Sequence, residues 1–303
     1  MHASVLSYFI EVARCGSIRK AARNLYVASS AVNRQILNLE KELNTELFVR
    51  LPTGIRLTPA GERVLVHVRS TMKDFQEMRM ELDALRGERT GHITVAALDS
   101  LFFSLLPATV LEFAQLYPAV TYSMAAVAPQ KVTDKVSSGD CEIGITFFNK
   151  SLVGLKAIAK VNFSAGVVMD SAHPLTKKTT VTPEDCRGYS VLRVGGLTST
   201  DDIVSSDMAN LWNTLVPAVT CNSTMMLKHL VMAGHGLAFL SKVAFLEEIA
   251  NGTVVWRPFA AGISGTQHMA VVVSSLRVLS PVTRDFVQRL IQRMKQMEAA
   301  SVL

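Results

Sequence analysis

The feature that most restricts the fold is a change of period partway along the chain. Up to about residue 85 apolar residues recur every three or four positions. From about residue 91 short apolar runs alternate with helical stretches. Such a chain is expected to begin as a small helical unit and continue as an α/β unit with a largely parallel sheet. Its 303 residues are enough for about two or three domains. Hydrophobic residues make up 49% and charged residues 18%, which suits sizeable cores and excludes a disordered chain. The formal net charge of +6 favours an anionic partner and says nothing about fold. No apolar run approaches the roughly 18 residues of a membrane span. The opening MHASVLSYFIEVARCGS is broken by Glu11 and Arg14, so no secretory leader is expected. The four cysteines, Cys15, Cys141, Cys186 and Cys221, form no C-x-x-C pair and have no His at metal spacing. That usage suits unpaired thiols in a reducing cytoplasm, with no metal or other cofactor.

The front of the chain carries GSIRKAARNLYVASSAVNRQILNLEKELNTELFVR, residues 16–50. Leu6, Phe9, Ile10 and Ala13 predict a first amphipathic helix, with Gly16 ending it and Ser17 capping the next. Ala21, Ala22 and Leu25 predict a short second helix that packs closely, and Tyr26-Val27-Ala28 is the turn. Val32, Ile36, Leu39 and Leu43 predict the buried stripe of a third helix, which leaves Ser29, Ser30, Asn33 and Arg34 exposed near its start. This is a helix-turn-helix layout, in which the start of the later helix meets base edges in a major groove. Arg19, Lys20 and Arg23 on the preceding helix suit phosphates, and Ser17 is included with them. Two short apolar-basic segments flank Pro52-Thr53-Gly54 and predict a hairpin wing that carries Arg50 and Arg56. A small helical bundle with a solvated basic face is the alternative, and the turn, hairpin and polar helix start weigh against it.

Thr58 and Pro59 then open a long helix. Leu65, Val68, Met72, Phe75, Leu82 and Leu85 keep a spacing of threes, fours and sevens, a seam suited to pairing with a second copy. Packing within the chain is the alternative. Two copies would present two reading helices to a two-fold DNA site.

These residues resemble the LysR-type transcriptional regulators over essentially the whole chain. The front part carries F-x-x-V-A-x-x-G-S (Phe9 to Ser17), A-A-x-x-L (Ala21 to Leu25), A-V-x-R-Q-I-x-x-L-E-x-E-L (Ala31 to Leu43), L-F-x-R (Leu47 to Arg50) and L-T-x-A-G (Leu57 to Gly61). The family commonly opens the third helix with Ser-Gln-Pro or Ser-Gln-Ser. Here Ala28-Ser29-Ser30 stands instead, and Asn33 replaces a later Ser. Losing the cap at Ala28 costs about 1 kcal/mol unless Ser29 takes that role.

The remainder resembles the family's two-lobed effector domain, which is like a type 2 periplasmic binding protein. GDCEIGI (Gly139 to Ile145), His173-Pro174-Leu175 and LVMAGHGLAFLS (Leu230 to Ser241) carry that likeness. The expected layout is a winged helix-turn-helix over 1–58, a linker helix over 59–88 and an effector domain over 89–303. Lobe 1 takes about 91–163 and 266–303, lobe 2 about 164–265, and two crossover strands form a hinge. Ligands of open parallel sheets sit at the carboxyl ends of strands and near helix N-termini. The resemblance places a small-molecule effector in the cleft between lobes. The residues mapped to that cleft are Asp99, Ser100, Pro129, Gln130, Thr146, Phe147, Thr198, Ser199, Asn222, Ser223 and Thr224. Asp99 is expected to cap the helix that follows it, and no Arg lies among these positions, which weakens the case for a carboxylate effector.

Cys141, Cys186 and Cys221 read as small buried hydrophobes, and only Cys15, beside Arg14, reads as a candidate thiolate. His173 and His229 have no catalytic or metal partner in sequence, and His235 in its Gly-x-Gly turn reads as exposed. No nucleophile elbow, phosphate loop or dinucleotide fingerprint is present, which counts strongly against an enzyme. The expected function is therefore a cytoplasmic DNA-binding regulator, dimeric or tetrameric, on a pseudo-palindromic operator, with RNA polymerase as a further partner. The rival is a ligand-independent DNA-binding protein that uses its α/β lobes only for assembly.

Overall fold

The computed structural model describes residues 3–52, 54–85, 90–148, 152–195, 215–260 and 266–302. The chain forms two compact units, one built on Met1–Arg89 and the other on Thr90–Ser137 with Cys141–Leu303.

In the first unit, α1 (Ala3–Cys15), α2 (Ile18–Asn24) and α3 (Ser29–Glu42) pack round one core. Leu6, Phe9 and Val12 meet Ala21 and Ala22 of α2 and Val32, Ile36 and Leu39 of α3. The two alanines let the helices approach, and burying Phe9 completely is worth about 2–3 kcal/mol. Ser17 caps α2 as expected, accepting from the Lys20 amide at 3.4 Å. Leu43 does not join the buried stripe. It closes α3 as the last half-helical residue and is 38% exposed. The N-cap of α3 is Ala28, which makes no side-chain bond, so Ser29 does not take over that role.

The expected hairpin is present as β1 (Phe48–Leu51) and β2 (Gly54–Leu57), antiparallel with Phe48 opposite Leu57 and Arg50 opposite Ile55. It is pinned at two places. Glu40 of α3 accepts from the amides of Leu47 and Phe48 at 2.8 and 3.1 Å. The Ile55 amide donates to the Gly16 carbonyl at 2.9 Å. Gly54 has φ +138°, and a Cβ there would stand 2.7 Å from the Gly16 oxygen, so a side chain is excluded twice over.

Helix α4 (Pro59–Leu85) starts on Thr58, whose hydroxyl accepts from the Gly61 amide at 2.9 Å. The expected seam on α4 splits. Val68 is fully buried in the core of its own chain, and Leu65 and Met72 pack against that core. Val68 therefore has no surface to offer a second copy, because the first turns of α4 are needed to close a small three-helix core. Phe75 and Leu82, further along, are 47% and 48% exposed, and Met78 beside them is 45% exposed. The Leu85 side chain lies outside the described residues.

The second unit is built on one long path of strands, in the order β4-β3-β5-β11-β6-β9-β7-β8, with β10 paired to β6. In the first lobe β3 (Gly91–Ala97) lies parallel between β4 (Val120–Ala126) and β5 (Ile143–Phe147). Helices α5 (Leu105–Leu116) and α6 (Pro129–Ser138) make the crossovers. β11 (Thr266–Ser274) and the final helix α9 (Pro281–Val302) complete this lobe, and α9 brings Phe286, Leu290 and Met294 into its core. The second lobe repeats the plan. β7 (Val191–Val194) lies parallel between β8 (Val219–Cys221) and β9 (Leu237–Ser241), with α7 (Thr224–Met232) before β9. Residues 196–214, before β8, lie outside the described residues, and Leu215 is buried.

The lobes are joined by β6 (Leu155–Asp170), one strand of 16 residues. Its first part pairs with β11 as far as Ser164, and from Ala165 onward it pairs with β9. The second expected crossover, near 261–265, lies outside the described residues. β10 (Val254–Pro258), which the sequence reading does not find, pairs with the end of β6. The short helix α8 (Leu246–Ala250) leads into it.

Candidate functional site

On the first unit, Ser30, Asn33, Arg34 and Leu37 share one face of α3, spaced by three and four. Ser30 and Arg34 are exposed, Asn33 is half-exposed and Leu37 is 47% exposed. Leu37 does not emerge from a search for polar readers, although the spacing from Asn33 already puts it on this face. An apolar side chain there is the type that meets a thymine methyl group. Arg50 on the wing reaches back to this face, and its Nη2 donates to Asn33 Oδ1 at 3.0 Å. The two residues that the sequence assigns to separate tasks therefore form one pair. Ser29, Arg19, Lys20, Arg23 and Arg56 are exposed, while Ser17 is half-buried with its oxygen engaged as a cap. Tyr26, in the turn before α3, is 96% exposed and takes φ 55°, a conformation rare for an aromatic residue. The α3 amides at its start have no side-chain cap from Ala28, which leaves the positive end of the helix open to an anion.

A polar knot joins α1 and α2. Glu11 accepts from Arg14 at 2.8 Å, from Asn24 at 2.7 Å and from the Cys15 thiol at 3.2 Å. These bonds, led by Arg14, bring the Glu11 carboxyl down to about 2. Cys15 goes the other way. Burial, followed by the adjacent Glu11 carboxylate, raises its thiol above the ordinary value. Cys15 is therefore not the thiolate that the sequence suggests, because Arg14 is spent on Glu11 and the Glu11 carboxylate is what meets the sulfur. Cys186 is buried and pushed up to about 12 by burial and its acidic neighbours. Cys141 is buried as expected, whereas Cys221 is only half-buried.

In the second unit the carboxyl ends of β3 and β5 lie side by side at a point where the strand order reverses. That is where open sheets of this kind form a crevice. Asp99 and Ser100 follow β3, and Thr146 and Phe147 end β5. Thr146 is buried and donates to the Pro129 carbonyl at 3.3 Å, so those two residues hold each other within lobe 1. Gln130 follows on α6, and Phe147 packs against the lobe 1 core. Thr198 and Ser199 lie outside the described residues. Asn222 precedes α7, Ser223 is its N-cap and accepts from the Met226 amide at 3.3 Å, and Thr224 is its first residue.

Asp99 does not cap the turn that follows it. Its carboxylate accepts from the Thr224 amide at 2.7 Å, which joins lobe 1 to the start of α7 in lobe 2. Nearby, Phe103 of lobe 1 packs against the lobe 2 core, and Val243 of lobe 2 is buried in the lobe 1 core. Two cations of lobe 2 stand outside the mapped positions. Lys228 of α7 pairs with Glu248 at 2.6 Å and stands 5.2 Å from the Phe103 ring. Arg193 of β7 donates to the Leu215 carbonyl at 3.0 Å, and burial lowers its pKa. Among the described residues no His, Cys, Asp and Glu side chains group into a metal site, and no helix is long and apolar enough to cross a membrane.

The chain matches two family models, "Bacterial regulatory helix-turn-helix protein, lysR family" over residues 4–62 and "LysR substrate binding domain" over 86–295. Among curated relatives, the transcriptional dual regulator GltC of Bacillus subtilis is 29% identical, with 97% of each chain covered. A probable RuBisCO transcriptional regulator of Emiliania huxleyi is 23% identical, over 92% of this chain and 90% of that protein. A point variant of full-length OxyR from Pseudomonas aeruginosa has the same fold with a TM-score of 0.70 at 20% identity, covering 97% of this chain and 95% of that one. CbnR in complex with its target DNA has a TM-score of 0.62 at 19% identity, covering 97% of this chain and 100% of that one. The basic helix-turn-helix with its wing, the two-lobed α/β unit and matches that span both place the chain in the LysR family of DNA-binding transcriptional regulators with an effector-binding domain.

Proposed function

We propose that this regulator reads a pseudo-palindromic operator through α3 and its wing, and that a small molecule between the lobes of the second unit modulates it. The face of α3 carrying Ser30, Asn33, Arg34 and Leu37, with Arg50 bonded to Asn33, supports the first part most directly. Asn and Arg are the side chains that pair with adenine and guanine edges, and Leu suits a thymine methyl. Arg19, Lys20, Arg23 and Arg56 meet phosphates, which position the head without specifying sequence. Members of the family oligomerise, and in this chain the exposed Phe75, Met78 and Leu82 of α4 are the surface through which two copies pair. The layout 1–58, 59–88 and 89–303 fits this division of labour, as does a cytoplasmic site of action with RNA polymerase as a further partner.

The test is a mobility shift and footprint of the purified protein on its own upstream intergenic DNA, with a panel of metabolites added. A specific footprint that shortens or moves with one metabolite supports the reading and identifies the ligand. Salt-sensitive binding with no sequence preference would reject operator reading. A sequence-specific footprint that no metabolite moves would favour ligand-independent DNA binding, a second reading that the bond between Asp99 and Thr224 recommends.

A further inference from the structure

The start of a helix is the natural seat for the acidic group of a ligand, because its first amides point outward and the helix dipole favours negative charge. At the cleft of this protein that seat on α7 is occupied by the chain itself. Asp99 reaches from lobe 1 and accepts from the Thr224 amide at 2.7 Å, in a partly buried bond between residues 125 positions apart. Ser223 takes the Met226 amide on the same helix turn. The bond does not stand alone. The segment that carries Asp99 also sends Phe103 against the lobe 2 core, and the turn after β9 sends Val243 into the lobe 1 core. Lys228, one turn into α7, is held by Glu248 and faces the Phe103 ring. The residues that make these contacts fall in three short stretches, 99–103, 223–228 and 243–248.

We infer that Asp99 is a tethered anion, a resident carboxylate that occupies the ligand seat of α7 and holds the two lobes together without any bound molecule. This rests on the reading of the cleft as the effector site and narrows it. A free carboxylate or phosphate at the start of α7 has to displace Asp99. A ligand that carries an ammonium or hydroxyl donor can instead add to the Asp99 oxygens without breaking the latch.

Amide hydrogen exchange on the full-length protein tests this, comparing wild type, Asp99→Ala and Asp99→Asn, each with and without sodium formate. In Asp99→Ala the Thr224 amide is expected to exchange about tenfold faster or more, since a hydrogen bond to a charged group is lost. The amides of Phe103 and Val243 should speed up with it as the lobes part. Asp99→Asn, which keeps an acceptor oxygen without the charge, should fall between. Formate at tens of millimolar should slow exchange in Asp99→Ala and leave wild type unchanged. Wild-type rates at Thr224 in Asp99→Ala would overturn the proposal. A change at Thr224 without any at Phe103 and Val243 would reduce Asp99 to a local cap and overturn the latch. An equal effect of formate on wild type and variant would overturn the vacated seat. The footprint is scored separately, so a protein that recognises no operator fails the regulator reading while exchange still decides the role of Asp99.

Discussion

Asn33 and Arg50 show how one bond changes the meaning of two residues. Read singly, Asn33 is a base reader and Arg50 a phosphate contact, and the 3.0 Å bond between them couples the tasks. Arg50→Ala is expected to weaken binding to all sequences, to lower the slope of log affinity against log salt by about one, and to relax part of the preference at the position Asn33 reads, because Asn33 loses its partner. Asn33→Ala should relax preference at one operator position by about 1–3 kcal/mol. The two losses should not add, falling short of additivity by about 0.5–1 kcal/mol because each mutation already breaks the shared bond. Titration of operator variants with the single and double mutants measures all three quantities. Simple additivity would mean that the pair works as two independent residues.

Glu11 gives a prediction in pH. Its folded pKa of about 2 lies below the ordinary 4.5, so the unfolded chain binds the proton more readily. The stability it contributes is fully present above about 4.5 and is lost as pH falls from there to about 2. Acid unfolding of wild type and Glu11→Gln should therefore show a gap that is constant near neutral pH and closes below about 4.5. The same substitution removes a negative charge from beside the Cys15 thiol, and iodoacetamide should then label Cys15 faster than in wild type. An unchanged labelling rate would leave burial as the whole cause of the raised thiol pKa.

At the scale of elements, α4 performs two tasks along its length. Val68→Ala should cost about 2 kcal/mol of unfolding free energy, from two methyl groups removed out of a full core, with no change in self-association at concentrations where the fold persists. Phe75→Glu should leave the melting temperature of the head within a few degrees of wild type and abolish pairing, read by analytical ultracentrifugation. Pairing that survives Phe75→Glu would move the interface elsewhere. The sequence shows the helix and its apolar spacing, and it cannot show where the core of its own chain ends. A spacing of threes and fours is the same whether the partner is α1 or a second copy. Leu43 fails for a related reason, since it has the right spacing but stands where α3 stops. β10 goes unseen because Val-Val-Trp-Arg-Pro is a short run with a Pro and no alternation, and its pairing partner is far away in sequence.

For the molecule as a whole, the order of helices and strands is legible because each element carries its own period and its own punctuation. The wing is legible from Pro52 and Gly54, and the crossover order from alternating strands and helices. Contacts between distant segments are not legible. Asp99 looks like a cap for the next turn, and only the folded chain brings it to an amide in the other lobe. Arg193 and Lys228 likewise sit outside every position that motif matching would select.

The two lobes share β6, and this has a mechanical consequence. A loop between lobes lets them swing for almost nothing, because its backbone groups have no fixed partners. Here β6 keeps a ladder of bonds on both sides of the passage, to β11 up to Ser164 and to β9 from Ala165. Any change in the angle between lobes must wind or unwind this strand, as a torsion bar is wound. Its stiffness sets a restoring torque against which a ligand does work. A molecule that binds the cleft tightly but leaves that bar at rest is held by the protein and transmits nothing.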